Sequence, residues 1–424
     1  MENIEFKNPC PSVPKINIGN FEKLAFGDFP KFPNKLLKYG CLFTKMQIME
    51  NKSYYSDKIR AVDAKLEAQK IAFSPMTFQA VRALIELGLL QKISDAGDDG
   101  ISIAELSQAS GISLYGVGVL CEMALGMGVL KLKGPAPESD DVKPASAVTS
   151  EKYILGKIGF FLLEDDLTRV NFNFTNDICY KGAFDLMDSI KNGKPEGLKV
   201  FGDKWTTVYE ALSTLPEREK KSWFEFDHFY SDVAFPEALP IVYKNHPKHL
   251  FDIGGNTGKW AITSCRYDKD VKVSIVDLPG QTAVAEKNAK DAGFADRINF
   301  VSGNVLDETT KLPAGADAVW MSQFLDCFSL HQITKILTKI YNSVDENCDV
   351  YVMEPLWDMQ KYEGASYSLQ ATSLYFTCIA NGNSKMYRYG ELVEAIEKAG
   401  FHLVTAHHNL GSNAYSILNF RKNK

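Results

Sequence analysis

The stretch Asp252-Ile253-Gly254-Gly255-Asn256-Thr257-Gly258 ends an apolar run on a carboxylic acid and then spends three of the next six positions on glycine. Glycine admits positive φ and lets backbone approach a ligand closely, and Asn256 is the non-glycine type that best tolerates the left-handed region. A dinucleotide-binding turn would look much the same, so the acids must discriminate. Asp252 repels a pyrophosphate and attracts an ammonium group. Asp277 closes the next apolar segment, Ser274-Ile275-Val276-Asp277-Leu278-Pro279, where an acid can accept both hydroxyls of a ribose. Asn304, with Val305 beside it, could receive the amino group of an adenine, and Leu278 could cover one face of the base. A ribose at one end, a cationic amine at the other and no phosphate between them describe S-adenosylmethionine better than a nicotinamide dinucleotide.

These residues need a frame that delivers them to one place. From His249 onward, short apolar runs alternate with helical periodicity: HLFDI, VKVSIVDL, INFVSGN, ADAVWMSQF and CDVYVMEP read as strands, separated by helices such as QTAVAEKNAKDAG and LHQITKILTKIYNSV. That alternation predicts a parallel sheet covered on both faces, with ligands beyond the carboxyl ends of its strands. FHLVTAHHNL and NAYSILNFRK, facing each other across Gly411-Ser412-Asn413, predict a closing antiparallel hairpin. Upstream, residues 57–93 predict two helices, and ISIAELSQASGISLYGVGVLCEMALGMGVLKLK at 101–133 predicts a helix-turn-helix with a wing whose tip lies at 133–150. The second helix of that unit, SLYGVGVLCEMALGMGVL, is apolar nearly throughout and carries no base. A DNA reader would need Arg, Lys, Asn or Gln there, so packing against a second subunit is the favoured reading and a DNA-binding regulator the alternative.

The whole chain has 424 residues, 45% of them hydrophobic and 24% charged, with a formal net charge of −6. This excludes a disordered chain and disfavours a bulk polyanion partner, whether nucleic acid or anionic membrane. No apolar run is long enough to span a bilayer, and the first residues lack a basic start followed by an apolar core, so the expected location is the cytoplasm. The eight cysteines are scattered, with no pair at metal-ligand spacing, so no metal site is expected.

DIGGNTG, SIVDLP, GNVL, FLDCFS and VYVMEP together resemble the motifs of the small-molecule O-methyltransferases that act on phenols, hydroxyindoles and polyketides. The resemblance implies a Rossmann-like seven-stranded α/β catalytic domain with a terminal hairpin at 241–424. It further implies an N-terminal arm at 1–50, a winged-helix-like dimerisation domain at 51–150 and a helical linker or substrate lid at 151–240. The cofactor contacts it implies are Gly254, Gly255, Asp277, Leu278, Asn304, Val305, Ser322 and Gln323, beside Asp252 and Gly258 of the glycine loop. The family's catalytic His position is occupied by Asp326, and the acid that steadies it corresponds to Glu354; His228 in FEFDHFYSD is the second candidate base. Phe226, Tyr230, Phe376, Thr377 and Asn381 are the acceptor contacts the resemblance implies. An aspartate at the base position leaves three readings open: proton removal from a phenol with methylation on oxygen, methylation on the adjacent ring carbon, or a fold that binds ligand without catalysis.

Overall fold

Among the described residues ten strands form two sheets, and their residue types explain where they lie. The computed structural model describes residue 54 and residues 56–134 and 150–423; the arm expected at 1–50, and most of the wing tip, fall outside these. The described residues all belong to one compact unit, Met49–Lys424.

In the N-terminal part, β1 (Ile101–Ser102), β2 (Leu130–Leu132) and β3 (Lys152–Leu155) form a small antiparallel sheet in the order β1-β3-β2. Between β1 and β2 run the helices Ile103–Ser110 and Leu114–Gly126, the expected helix-turn-helix. Ser102 starts the first helix with a capping box, its hydroxyl accepting from the Glu105 N–H while the Glu105 carboxylate accepts from the Ser102 N–H at 2.7 Å. Gly111, at φ +73°, ends that helix. The segment 57–93 forms three helices where two were expected, Ala61–Ala72, Ser74–Glu86 and Leu89–Asp95, because Gly88 takes φ +68° and interrupts what the apolar spacing reads as one continuous helix.

The large sheet has the order β6-β5-β4-β7-β8-β10-β9. Strands β4 (His249–Ile253), β5 (Lys272–Asp277), β6 (Ile298–Ser302), β7 (Ala318–Ser322) and β8 (Asp349–Glu354) are parallel, whereas β9 (Phe401–Leu410) and β10 (Tyr415–Lys422) form the antiparallel hairpin. Helices on both faces bury the parallel strands, which is why β8 is buried at every position; β9, at the edge, alternates. The covering helices are amphipathic at helical spacing: Ile333, Ile336, Leu337 and Ile340 of Leu330–Ser343 all point into the core.

Chain order reverses at β4, which pairs with β5 on one side and β7 on the other. The loops leaving the carboxyl ends of the adjacent strands β4 and β7, at the switch point, are the glycine loop and the segment holding Asp326. The helices of 166–242 share a continuous apolar core with one face of the sheet, while the N-terminal unit, with Leu162 and Leu163 packed on it, keeps its own core around Leu84, Leu90, Val117 and Tyr153. Among the described residues no helix is long and apolar enough to cross a membrane.

Candidate functional site

The glycine loop is shaped by what lies against it. Gly254 has φ +77°, and a Cβ there would sit 2.2 Å from the Phe324 ring. A Cβ on Gly255 would meet the Asp252 carboxylate at 2.8 Å and Ile275 at 2.9 Å. Gly258, at φ +81°, opens the helix Lys259–Tyr267, and Asn256 takes φ +48°, the left-handed position its type tolerates. Asp277, at the end of β5, accepts from the Asn256 N–H at 2.8 Å and from the Leu278 N–H at 2.7 Å.

A cavity of about 390 Å³ opens beyond these strand ends. Gly254, Asp277, Leu278, Asn304, Val305 and Gln323 of the expected cofactor residues line it, as do Asp326, Phe226, Phe376 and Asn381. The remaining residues lie elsewhere. Gly255, Gly258 and Ser322 stand behind the wall, and Glu354 supports it from below. Thr377 donates to the Ser373 carbonyl within its own helix. Tyr230 is on the helix Glu217–Ser231, with its side chain outside the described residues.

Asp252 is placed differently from the charge-based expectation. Its side chain is off the cavity wall and only 2% of the residue is exposed, packed under Gly255. Burial, helped by the Asp277 charge, pushes its pKa up to about 8, and the side chain props the loop from beneath Gly255. His228 is likewise off the wall. On the helix Glu217–Ser231 the cavity face carries Trp223, Phe226 and Asp227, spaced three and four apart, and His228 is turned from it, stacked on Phe224 at 5.9 Å. Asp227 stands at the junction, accepting from Asn256 Nδ2 at 3.0 Å and so tying this helix to the glycine loop.

Asp326 sits in the short turn Leu325–Cys327 after β7, 4% exposed. Glu354, closing β8, fixes that turn: its Oε1 accepts from the Phe324 N–H at 3.1 Å and the Leu325 N–H at 2.8 Å. From the opposite side Asn381 donates to the Cys327 carbonyl at 2.9 Å, and Tyr387 to that of Phe328 at 2.6 Å. Burial drives both acids up, Asp326 to about 7 and Glu354 well above the usual range, the latter also because of the Asp326 charge. The pair therefore retains a proton near neutral pH.

The charges on the wall select the ligand. Among the described residues the cavity is lined by the acids Glu210, Asp227, Asp277 and Asp326, and by no lysine, arginine or histidine. Such a cavity suits a cation and repels a phosphate. Gln323 Oε1 and Asn256 Oδ1 are buried without a hydrogen-bond donor in the protein, so a ligand carrying ammonium or hydroxyl donors would satisfy them. Asn304 Oδ1 accepts from the Leu306 N–H at 3.0 Å and keeps a second lone pair. These groups fit S-adenosylmethionine. The opposite wall is aromatic: Tyr209, Trp223, Phe226, Phe324, Phe328 and Tyr375. Of these only Phe226 was singled out from the sequence; the helical spacing 223-226-227 could have added Trp223 and Asp227, whereas nothing local marks Tyr209.

Comparison with known proteins bears on this geometry. The O-methyltransferase domain family matches residues 184–402, and the Dimerisation2-like domain family matches residues 65–135. The chain is 23% identical over 335 residues to an L-tyrosine C(3)-methyltransferase of Streptomyces lavendulae, a match covering 78% of this chain and 85% of that protein. It is 30% identical over 141 residues to a 3-hydroxy-5-methyl-1-naphthoate 3-O-methyltransferase of Streptomyces sahachiroi, covering 33% of this chain and 40% of the relative. Among solved structures it is similar in fold to the S-adenosylmethionine-dependent methyltransferase SibL (TM-score 0.61, 21% identity, 84% of this chain and 98% of that one). It is also similar to an O-methyltransferase from neocarzinostatin biosynthesis in complex with S-adenosylmethionine and 2-hydroxy-5-methyl naphthoic acid (TM-score 0.56, 20% identity, 82% and 96%).

Proposed function

Since this chain belongs to the O-methyltransferase domain family, and is thereby an S-adenosylmethionine-dependent methyltransferase, we propose that its acceptor is a small aromatic hydroxy compound whose proton is taken by Asp326. The observation that carries this reading is the composition of the cavity wall, which among the described residues holds acids and aromatic rings and no lysine, arginine or histidine. S-adenosylmethionine, when bound, supplies an electrophilic methyl group on a sulfonium centre. Asp277, held by two backbone N–H groups, would accept the ribose hydroxyls; Gln323 and Asn256 offer carbonyl oxygens to the remaining donors. The aromatic wall would hold a flat acceptor with its hydroxyl toward Asp326, whose pKa burial raises from the usual carboxylate range toward that of a phenol. The Asp326 carboxylate would take the phenolic proton as the acceptor receives the methyl group that the sulfonium would supply. Glu354 acts through the turn it fixes.

The O-methyltransferase domain match supports methylation on oxygen, and a second reading, methylation on the ring carbon beside the hydroxyl, is supported by the C-methylating relative, whose match covers 78% of this chain. Both begin with the same loss of the phenolic proton. We further propose a homodimer formed through the N-terminal unit, supported by the Dimerisation2-like match. Incubation with methyl-labelled cofactor and a panel of phenols, naphthols and tyrosine, read by NMR, is expected to place the label on oxygen or on an adjacent ring carbon. Cofactor binding without transfer to any acceptor would overturn the proposal.

A further inference from the structure

Behind the aromatic wall lies a second cavity of about 370 Å³, nearly the size of the first. Phe226 and Tyr375 line both and form the partition between them. Phe226 stacks on Phe174 at 3.9 Å, and Tyr375 meets the same ring edge-on at 4.8 Å while its hydroxyl accepts from Trp223 Nε1 at 2.8 Å. The space opens to the surface past Tyr367 and Leu374, 71% and 51% exposed, and an apolar cleft of this size beside a reaction site is suited to a small ligand.

Its walls say of what kind. Two π-helical turns, Thr175–Cys179 and Phe376–Ala380, border it, the second giving Phe376 to the first cavity and Cys378 and Ile379 to the second. Such turns are rare and concentrate at functional sites, where the extra residue redirects side chains. Among the described residues no charged side chain lines the space, and several of its polar groups are spent: Ser368 donates to the Gly364 carbonyl at 2.9 Å, Thr372 to that of Ser368 at 2.9 Å, and the Cys378 thiol to that of Gly182 at 3.0 Å.

We propose that this second cavity is a binding site for an uncharged hydrocarbon extension of the acceptor, an alkyl chain or a further ring beyond the one bearing the hydroxyl. This rests on the methyl-transfer reading above. An acceptor of one bare ring would leave the space empty, whereas a chain passing the Phe226–Tyr375 partition would bury its length against Phe174, Leu186 and Ile379.

Calorimetric titration of the full-length protein saturated with S-adenosylhomocysteine tests it, using phenol, para-butylphenol and n-butylbenzene as probes. The butyl chain is expected to tighten binding by about tenfold or more, each buried methylene contributing to the gain. In Ala371→Trp, which fills the cavity from its exposed rim, that gain should fall below about threefold while phenol and S-adenosylhomocysteine bind as before. Ala371→Phe serves if the larger ring impairs folding. An equal gain in wild type and variant, or no gain in wild type, would overturn the proposal. Butylbenzene has no group to methylate: its binding to wild type and loss in the variant would uphold the cavity even if no phenol were methylated. Failure of both butyl probes to bind would reject the cavity whatever becomes of the transfer reading.

Discussion

At the scale of single residues, two buried acids do opposite things with the same physics. Burial raises both Asp326 and Asp252, but Asp326 faces the cavity and Asp252 does not. For Asp326, the base proposed above, the result is a pKa raised toward neutrality. Because only the carboxylate accepts a proton, kcat/KM should rise with pH through an inflection near 7. Asp326→Asn should lower turnover by about 10²- to 10⁴-fold, remove that inflection and leave cofactor affinity unchanged. A fully active variant would remove Asp326 from the mechanism. Asp252 makes its contribution to stability. Its folded pKa, about 8, lies above the unfolded value, so the folded state holds the proton more tightly; this contribution is complete below the unfolded pKa near 4 and is lost as pH rises toward 8. Asp252→Asn should therefore be more stable relative to wild type at pH 8 than at pH 5, by one to several kcal/mol at about 1.4 kcal/mol per tenfold change in proton affinity. Urea unfolding at the two pH values measures this, and a difference independent of pH would refute it.

At the scale of elements, the site is made where separate segments lean on each other. The glycine loop leans on Phe324 through Gly254, on the helix Glu217–Ser231 through Asn256 and Asp227, and on β5 through Asp277. The closing hairpin holds the same helix, since Asn413 donates to the Phe229 carbonyl at 3.1 Å. Gly254→Ala combines a left-handed backbone with a contact of 2.2 Å to a ring, so it should weaken S-adenosylhomocysteine binding by about tenfold or more. Gly280→Ala, on a helix with nothing within 4 Å of the new Cβ, should leave affinity unchanged and add roughly 0.5–1 kcal/mol of stability. Equal effects of the two substitutions in calorimetry would show that the close approach at Gly254 does not matter.

At the scale of the whole molecule, the helix Leu114–Gly126 leaves an apolar stripe in water. Tyr115, Val119 and Met123, four residues apart, are 82%, 47% and 37% exposed. This face fits the proposed homodimer, and it explains why a helix-turn-helix without a basic residue on its second helix is kept. Val119→Glu should shift the protein from dimer to monomer in sedimentation velocity while cofactor binding persists. A wild-type protein that is monomeric at micromolar concentration would refute the dimer.

The amino-acid sequence by itself determined the periodic part of this protein. Strand and helix followed from runs of period two and three to four, the glycine turn from residue types that accept positive φ, and the cofactor class from the acid at Asp277 and the family motifs around it. These are local properties, legible because backbone geometry and apolar spacing are set within a few residues. The tertiary structure alone decided which side chains reach the cavity. Asp252 and His228 look like ligand-facing groups in a linear reading, yet one lies beneath Gly255 and the other turns away by a single helical position, so that Asp227 takes the wall instead. Tyr209, Trp223 and Tyr375 come from three separate segments and meet only when the helices of 208–231 and 363–375 dock on one face of the sheet. Burial and the approach of distant charges, which set the titration of Asp326, exist only after that docking.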